Sequence, residues 1–350
     1  MRVMLPKTLD LGMCALGRAI DARGTPLDGG PALDGRRIAL EPCAPLPSER
    51  APIVEPLWTG VRVVDGLLTI GRGARVGVFG AAGSGKSVFV ETVVSGCAAD
   101  AVVVGLVGER GREAQRWIAL GDHRRTIVCA TSDRPAGERI AACRVAVAHA
   151  RALRERGLDV VLVVDSLARV AAALREMRVA AGESTGRGGY PPSVFAELAR
   201  LLEVAGQLHA GSITLFATVL ADGDERDPVS EAARSLLDGH VALSTALAES
   251  GRFPAVDVLR STSRTMDAVA AEDHARAAAR VRRAIARLAR VEDARSLGIE
   301  PADRGTRAAI AAEPRLEEFL RQSDEISSPQ ATRSRLLAIA QELVDGDEDR

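Results

Sequence analysis

The most constraining feature of this 350-residue chain is one eight-residue loop, Gly80, Ala81, Ala82, Gly83, Ser84, Gly85, Lys86 and Ser87. It matches the pattern G-x-x-x-x-G-K-[ST], in which glycines let successive backbone N–H groups turn inward around phosphate oxygens. A strand candidate, Arg75–Phe79, precedes the loop, and a helix candidate, Ser87–Ala98, follows it. This order predicts a phosphate-binding loop at the N-terminus of a helix.

Individual positions of the loop have predicted roles. We expect Lys86 to reach the β- and γ-phosphates of a nucleotide and the Ser87 hydroxyl to bind Mg²⁺. Val88, the next residue, completes the predicted nucleotide-binding set. Lysine and arginine total 46, yet the only lysines are Lys7 and Lys86. Because the chain uses arginine for nearly all its positive charges, a lysine at this place in the motif argues against a chance match.

The middle of the chain alternates short apolar runs with helical segments. The apolar runs are Val76–Phe79, Ala101–Leu106, Thr126–Ala130, Val160–Val164, Ser212–Val219 and Val241–Ser244. The helical segments between them include Ser87–Ala98, Gly137–Glu155 and Val194–Glu203. This alternation predicts an α/β fold, with a mainly parallel sheet covered by crossover helices.

The two ends of the chain differ from this middle part. Residues 1–55 are rich in glycine, proline and aspartate, which predicts short strands, turns and a linker without an independent core. After Arg264 the sequence predicts helices over Glu272–Arg295, Arg307–Gln322 and Pro329–Val344. We therefore expect an N-terminal segment (1–55), an α/β core (56–264) and a C-terminal helical domain (265–350).

Composition excludes several classes of protein. The net charge is −1, so no bulk field draws the chain to nucleic acid or to a membrane. The five cysteines form no C-x-x-C pair, which argues against a disulfide framework or a zinc site. No apolar stretch approaches the ~20 residues that span a bilayer, and the N-terminus lacks a signal-peptide pattern. We expect a soluble, cytoplasmic protein.

One arginine-rich helix face leaves two interpretations open. It could bind nucleic acid, or it could be an ordinary solvated face balanced by nearby acidic residues, and the second is favoured. The face comprises Arg276, Arg280, Arg282, Arg283, Arg287 and Arg290.

A second candidate element is the apolar strand that ends in Asp165. A carboxylate at the C-terminal end of a strand beside the phosphate-loop strand can hold Mg²⁺ through water. Many buried strands end in aspartate, so the assignment depends on the loop upstream. With that loop present, Asp165 joins Ser87 as a predicted metal ligand.

Six stretches of the sequence occur in an order that resembles one known family. They are GERGREAQRWI (Gly108–Ile118), DSLARVA (Asp165–Ala171), GYPPSVFAELARLLEVAG (Gly189–Gly206), GSITLFATVL (Gly211–Leu220), LLDGHVALS (Leu236–Ser244) and FPAVDVLRSTSR (Phe253–Arg264). Together they closely resemble the type III secretion and flagellar export ATPases, homologues of the catalytic β subunit of rotary F-type ATPases. The resemblance extends from about Leu11 to about Leu343.

The resemblance implies a RecA-like P-loop NTPase core, a small C-terminal helical domain and a β-barrel at the N-terminus. Of that barrel only the trailing part, Asp10–Gly30, has a counterpart in this sequence. In the family the barrel forms a collar in a hexameric ring. A largely absent barrel would therefore be expected to weaken the hexamer.

The resemblance also assigns roles to individual residues. Glu109 matches the carboxylate that orients and polarises the attacking water, and Arg110 beside it has a role near the γ-phosphate or in the subunit contact. Asp165 matches the Mg²⁺-linked aspartate. Phe253 lies where relatives stack an aromatic ring on adenine. Arg264 matches the arginine finger that one subunit supplies to its neighbour, so Lys86, Glu109, Arg110 and Arg264 form the predicted catalytic set.

Each of these residues has a plainer interpretation. Glu109 and Arg110 could form a surface ion pair. Arg264 could be a helix-cap cation, and Phe253 an ordinary core residue. Phe319 is a further candidate for contact with adenine.

The function implied is hydrolysis of ATP, with Mg²⁺, to energise type III protein export by releasing chaperones and unfolding substrates. The implied place is the cytoplasmic face of an inner-membrane export gate, with peripheral membrane association. The implied partners are other copies of the chain in a homohexamer, export chaperones and substrates, and stalk and stator-like components. No direct contact with nucleic acid is expected.

Two other functions stay open at this stage. A hexameric RNA-translocating ATPase would share the core, but it would need an RNA-binding module that residues 1–55 do not show. A catalytically impaired nucleotide-binding paralogue could serve a structural or regulatory role. The intact Lys86, Glu109 and Arg264 argue against that role.

Overall fold

The structure is a computed structural model that describes residues 6–221, 227–299, 301–323 and 325–343. Its strands are β1 (Thr8–Leu11), β2 (Ala19–Asp21), β3 (Arg36–Ala39), β4 (Pro56–Leu57), β5 (Ile70–Gly71), β6 (Arg75–Gly80), β7 (Ala101–Glu109), β8 (Arg125–Thr131), β9 (Asp159–Asp165), β10 (Gly206–Leu208), β11 (Gly211–Leu220), β12 (Gly239–Leu243) and β13 (Val256–Ser263).

Its α-helices alternate with the strands in the middle of the chain and follow one another at the end. They are α1 (Arg62–Leu67), α2 (Lys86–Gly96), α3 (Gly111–Ala119), α4 (Ala136–Arg154), α5 (Leu167–Ala180), α6 (Pro192–Leu202), α7 (Pro228–Leu236), α8 (Thr245–Glu249), α9 (Met266–Val269), α10 (Glu272–Ser296), α11 (Arg304–Leu320) and α12 (Pro329–Glu342).

The chain divides into two compact units. The sheet unit consists of Met1–Ile53, Arg72–Ala82 and Ala99–His240, and the helical unit consists of Val54–Gly71, Gly83–Ala98 and Val241–Arg350. The chain passes from one unit to the other several times, and one passage falls inside the phosphate loop, between Ala82 and Gly83. The three domain boundaries inferred from the sequence stay a prediction.

The sheet unit is built on parallel strands in the order β6-β11-β9-β7-β8-β2. Short β10 pairs with β11 in the antiparallel sense. The central strands are continuous apolar runs, as strands buried on both faces require. In β7, for example, every residue from Ala101 to Glu109 is buried. The predicted α/β fold with a mainly parallel sheet is confirmed.

The N-terminal segment is folded onto the sheet unit. Strands β1 and β3 form a separate antiparallel ribbon, while β2 extends the main sheet by pairing in parallel with β8. Arg18 donates to Asp28 over 2.8 Å, and this contact holds the pKa of the Asp28 carboxyl well below its usual range. Leu11 and Ile20 are fully buried and belong to the large core. The segment therefore packs into the core of its unit.

The helical unit contains the three C-terminal helices. Arg295 on α10 pairs with Glu313 on α11 over 2.8 Å. Arg333 on α12 pairs with Asp273 on α10 over 2.6 Å. The predicted helices agree with α10, α11 and α12 to within three residues at their described ends, and Val344, the last residue predicted for the third, lies outside the described residues.

Across the described ranges, no helix combines the length and apolar character needed to cross a membrane.

Candidate nucleotide-binding site

The candidate site begins at one edge of the sheet unit. Because β6, β7 and β9 run in parallel, their C-terminal ends lie along the same edge, outside which open α/β sheets bind ligands. The residues at those ends are Gly80, Glu109 and Asp165. Three of the sequence-predicted positions are therefore brought to one edge by the topology.

The phosphate loop has the backbone geometry that its motif predicts. Gly83 and Gly85 have φ angles of 82° and 87°, a region that side-chain-bearing residues rarely adopt. Helix α2 begins at Lys86, with Gly85 as its N-cap. Gly85 offers no side chain to cap the helix, and no acidic residue lies in the first turn. The positive end of the helix dipole is therefore suited to an anion.

The remaining loop residues differ in exposure. Ser84 is buried, Lys86 is partly exposed, and Ser87 and Val88 are exposed at the start of α2. Ala81 is partly exposed and Ala82 is exposed. The Ser87 hydroxyl is thus accessible to a ligand, as its predicted metal-binding role requires.

Glu109 is a buried carboxylate at the end of β7, only 5% exposed. The pairing of β7 with β8 shifts register between Val107 and Glu109, where Gly108 has a φ angle of +70°. Such a bulge re-aims the side chain that follows it. Arg169 on α5 forms an ion pair with Glu109 and donates to the Gly108 carbonyl oxygen over 2.7 Å. Glu109 is therefore buried and paired with Arg169. It does not form a surface ion pair with Arg110.

The environment of Glu109 raises its pKa well above the usual range of a glutamate. Burial is the largest cause, a hydrogen bond with Glu113 and the charge of Asp165 add to it, and the contact with Arg169 opposes it. A carboxylate with a raised pKa is a stronger base than an exposed one. This environment suits a group that must accept a proton from water.

Asp165 ends β9 and is 8% exposed. The Thr218 hydroxyl on the neighbouring strand β11 donates to its Oδ1 over 2.5 Å. The contact orients the carboxylate at the edge of the sheet. Asp165 is therefore placed and oriented, as a ligand reached from the sheet edge should be.

Three residues that contact Glu109 or Asp165 were not identified from the sequence. They are Glu113, Arg169 and Thr218. Arg169 follows Asp165 by four residues, and Glu113 follows Glu109 by four. That spacing places side chains on the first turn of the helix after each strand, a signal that could have indicated both. Thr218 had no such signal, because its contact depends on the strand order.

Arg110 and Arg264 are both exposed, and the part of the chain that the structure describes offers neither side chain a partner. Arg110 is the N-cap of α3, and Arg264 follows β13 in the helical unit. Both side chains are exposed, and neither has a hydrogen bond or ion pair with another described residue. A cation at the N-terminus of α3 gains nothing from the helix dipole. These arginines are available to a ligand or to another molecule.

The helical unit contains a cavity of about 230 Å³ with Phe253 at its rim. The Phe253 ring is 47% exposed, so it is not an ordinary core residue. The lining residues are Val61, Gly85, Val88, Phe89, Thr92, Phe253, Pro254, Ala255, Gln322 and Ser323. Such an apolar cavity, with an accessible aromatic ring, suits a flat heterocycle such as a nucleobase.

Phe319 does not line this cavity. Its side chain is buried, and the Arg62 guanidinium lies over its ring at 5.9 Å from the centroid. Its expected contact with adenine stays a prediction. Gln322 and Ser323, just after the end of α11, line the cavity.

A strand that leads into a phosphate loop, and buried carboxylates at the ends of other parallel strands of the same sheet, are typical of the class of P-loop ATPases. Residues 60–263 match the ATP synthase alpha/beta family, nucleotide-binding domain. The chain belongs to this family and, within it, to the type III secretion and flagellar export ATPases.

Two relatives support this membership. The type 3 secretion system ATPase of Sinorhizobium fredii is 46% identical over 336 residues, which cover 93% of this chain and 74% of the relative. The flagellum-specific ATP synthase of Pseudomonas aeruginosa is 42% identical over 351 residues, covering 96% of this chain and 78% of the relative.

A solved structure is also similar. It is the assembled ATPase EscN in complex with its central stalk EscO, from the type III secretion system of enteropathogenic E. coli. The TM-score is 0.89 at 39% identity, covering 95% of this chain and 83% of that chain.

Proposed function

We propose that this chain hydrolyses ATP to energise type III protein export, releasing chaperones and unfolding substrates at the cytoplasmic face of an inner-membrane export gate. The observation that carries the proposal is the placement of two buried carboxylates, Glu109 and Asp165, at the sheet edge where β6 enters the phosphate loop. The relatives named as secretion and flagellar ATPases support the export role.

Each part of the site has a proposed task. The N–H groups of Gly80–Ser87 hold the phosphates, Lys86 neutralises the β- and γ-phosphate charge, and Phe253 stacks on the adenine. Glu109 accepts a hydrogen bond from the attacking water and takes up its proton. Because phosphoryl transfer needs positioning and charge stabilisation above all, these tasks account for the chemistry.

The proposed Mg²⁺ ligands are oxygen donors, which this ion prefers. Asp165 offers a fixed carboxylate, and Ser87 offers an exposed hydroxyl. Within the described residues no group of three or more histidine, cysteine, aspartate or glutamate side chains could hold a metal alone. The ion would therefore arrive with the nucleotide phosphates, and when bound it neutralises charge on the transferred group.

The proposed working form is a homohexamer. Arg264, exposed and without a partner among described residues, would act as the finger supplied to a neighbouring subunit, and Arg110 would lie near the γ-phosphate or the subunit contact. The assembled EscN with its stalk EscO supports a ring with a stalk partner. Stator-like components, export chaperones and substrates complete the proposed partners, without direct contact with nucleic acid.

Replacement of Lys86 tests the proposed function. We expect Lys86→Ala to lower ATP hydrolysis by at least about a hundredfold, because the charge on the transferred phosphates loses its fixed cation. The measurement is phosphate release with ATP and Mg²⁺. Lys7→Ala, which changes the only other lysine, is the matched control and should retain wild-type turnover.

Thermal unfolding should separate loss of activity from loss of structure. Lys86 is partly exposed, and we expect both variants to unfold close to the wild-type temperature. Normal turnover by Lys86→Ala would contradict the assignment. Absence of hydrolysis by the wild-type chain at every protein concentration would favour the inert paralogue.

A further inference from the structure

Glu109 takes up a proton in the proposed reaction and must lose that proton before the next turnover. The residue is almost fully buried at the end of β7, so its carboxyl group has little direct contact with solvent. Each cycle of hydrolysis therefore needs a route by which the proton leaves this buried group. The side chains around Glu109 determine which route the fold provides.

The ionisable side chains around Glu109 come from four elements. Arg169 on α5 pairs with it, Glu113 on α3 shares a hydrogen bond with it, and Asp165 on β9 acts through its charge. A guanidinium stays charged in proteins and cannot take a proton. Burial raises the pKa of the Cys129 thiol on β8 to about 11, so that group stays protonated. Asp165 is itself buried and is assigned to the metal ion.

Glu113 is the neighbour that joins this buried group to the surface. It lies in the first turn of α3 and is partly exposed. Its N–H donates to the Arg110 carbonyl oxygen over 3.0 Å, which fixes the turn that places its side chain beside Glu109. Of the groups around Glu109, Glu113 alone combines a direct contact, the capacity to accept a proton and access to solvent.

The contact between Glu109 and Glu113 is suited to the transfer of a proton. An ionised carboxylate only accepts hydrogen bonds, so a bond between two carboxyl groups forms when one of them holds a proton. Glu109 gains such a proton in each turnover of the proposed reaction. It can then donate to Glu113, and the proton can move between the two oxygens without any rearrangement of the backbone.

We propose that Glu113 is the proton relay of this site, which receives from Glu109 the proton of the attacking water and releases it to solvent. The inference rests on the proposed function, which makes Glu109 the base. First the water O–H bond breaks, its oxygen forms the bond to phosphorus, and the proton binds the Glu109 carboxylate. The proton then moves to the Glu113 carboxylate, and a solvent water takes it from there. Both carboxylates are thereby restored for the next ATP.

Replacement of Glu113 by glutamine tests the relay through the difference between kcat and kcat/KM. The ratio kcat/KM covers the steps from free enzyme to the transition state of phosphoryl transfer, whereas kcat also includes the recovery of Glu109. We expect Glu113→Gln to lower kcat at least about tenfold. We expect kcat/KM, measured at a pH where Glu109 is ionised, to stay within about threefold of wild type.

The measurement is steady-state phosphate release by the full chain with ATP and Mg²⁺. Glu155→Gln is the matched control, at a partly exposed glutamate on α4 that pairs with Arg151, and it should keep the wild-type kcat. Thermal unfolding of both variants checks that the fold persists. A kcat within about twofold of wild type in Glu113→Gln would overturn the relay. Equal falls in kcat and kcat/KM would also overturn it, because the residue would then act on phosphoryl transfer itself.

Rescue by small proton carriers separates a relay from a structural contact. Glu113→Ala removes the carboxyl group and leaves room for a carrier to reach Glu109. Formate and imidazole accept protons but differ in shape, and we expect each of them to raise kcat of this variant as its concentration increases. Sodium chloride at the same ionic strength should have no such effect. A loss of kcat that neither carrier restores would overturn the proposal.

Failure of the relay is distinguishable from failure of the proposed function. Absence of ATP hydrolysis by the wild-type chain would refute the proposed function. Hydrolysis by the wild-type chain, together with an unchanged kcat in Glu113→Gln, would refute only the relay and leave Glu109 as the base.

Discussion

Glu109 is a buried acid whose neighbours oppose one another. Arg169 favours its charged form, while burial, Glu113 and Asp165 favour its protonated form. Because the second group of effects prevails, the pKa is raised, and a larger fraction of Glu109 is protonated at neutral pH than in an exposed glutamate. A general base works only when deprotonated, so kcat/KM should fall as pH falls through this raised pKa.

Glu113→Gln tests that environment at the scale of one residue. Glutamine replaces an acid with a neutral donor, which favours the charged form of Glu109 and lowers its pKa. We expect the acidic limb of the pH profile of kcat/KM to move to lower pH by at least about half a unit. The control is Glu155→Gln, at a glutamate that pairs with Arg151. An unchanged acidic limb in Glu113→Gln would contradict the role given to Glu113.

At the scale of elements, helix α4 carries a buried histidine against strand β8. The Thr126 hydroxyl donates to the Ala15 carbonyl oxygen over 2.5 Å, so it accepts from His149 Nε2 over 3.0 Å. His149 Nδ1 is buried without a hydrogen-bond partner in the described chain. Burial lowers the pKa of His149 to about 4. The packing of α4 on β8 therefore requires a neutral imidazole.

His149 should make the stability of the sheet unit depend on pH. Its folded-state pKa is lowered, so below about pH 6.5 the unfolded chain binds a proton that the folded chain excludes. We expect the free energy of unfolding to fall by about 2 kcal/mol between pH 7.5 and 5 from this group alone. Urea unfolding at both pH values, followed by circular dichroism, measures it.

His149→Gln keeps a donor for Thr126 and removes the titrating ring. We expect the loss of stability between the two pH values to shrink in this variant. His123→Gln, at a side chain that is 91% exposed, should keep the wild-type dependence. If the free energy of unfolding falls equally in wild type and in His149→Gln between the two pH values, the buried imidazole is not the source of the pH dependence.

The elements show what a sequence can and cannot predict here. The apolar runs predicted the central strands because strands buried on both faces need continuous apolar sequence. The order of the strands could not be predicted in this way. Thr218 contacts Asp165 only because β11 lies beside β9. The same holds for β2, whose partner β8 lies about a hundred residues away. Contacts that depend on register are not encoded in any local pattern.

In the candidate site, too, some residues were predicted from a local motif and others were not. The phosphate loop follows from its motif, because its glycines and lysine have local roles. Glu109, Phe253 and Arg264 were indicated by resemblance alone, and their tasks stay predictions. Nothing local indicated that the Gln322 amide would donate to the Gly60 carbonyl oxygen, since the two residues lie 262 positions apart in sequence.

At the scale of the whole molecule, Arg264 raises the question of whether one chain is a complete enzyme. The side chain is exposed and has no partner among the described residues. An arginine finger supplied in trans accelerates hydrolysis by about 10³–10⁵. A chain that depends on its neighbour for this residue would be nearly inactive when dilute.

Mixing two inactive variants tests this dependence. Lys86→Ala keeps the finger and loses its own site, and Arg264→Ala does the reverse. In a ring with heterologous contacts, roughly a quarter of the interfaces in an equimolar mixture join an intact site to an intact finger. We therefore expect the mixture to regain hydrolysis that neither variant shows alone. No recovery in mixed oligomers of confirmed size would exclude a finger acting between subunits.

The bulge at Gly108 has a consequence for how this site can vary. Its positive φ angle disfavours any side chain, and a Cβ there would lie 3.2 Å from the Arg169 side chain. A substitution would thus disturb both the strand end that aims Glu109 and the arginine that pairs with it. Mutations that reach position 108 would therefore carry two costs at once, the strained backbone and the displaced Arg169 side chain, so we expect few replacements to be tolerated there during evolution.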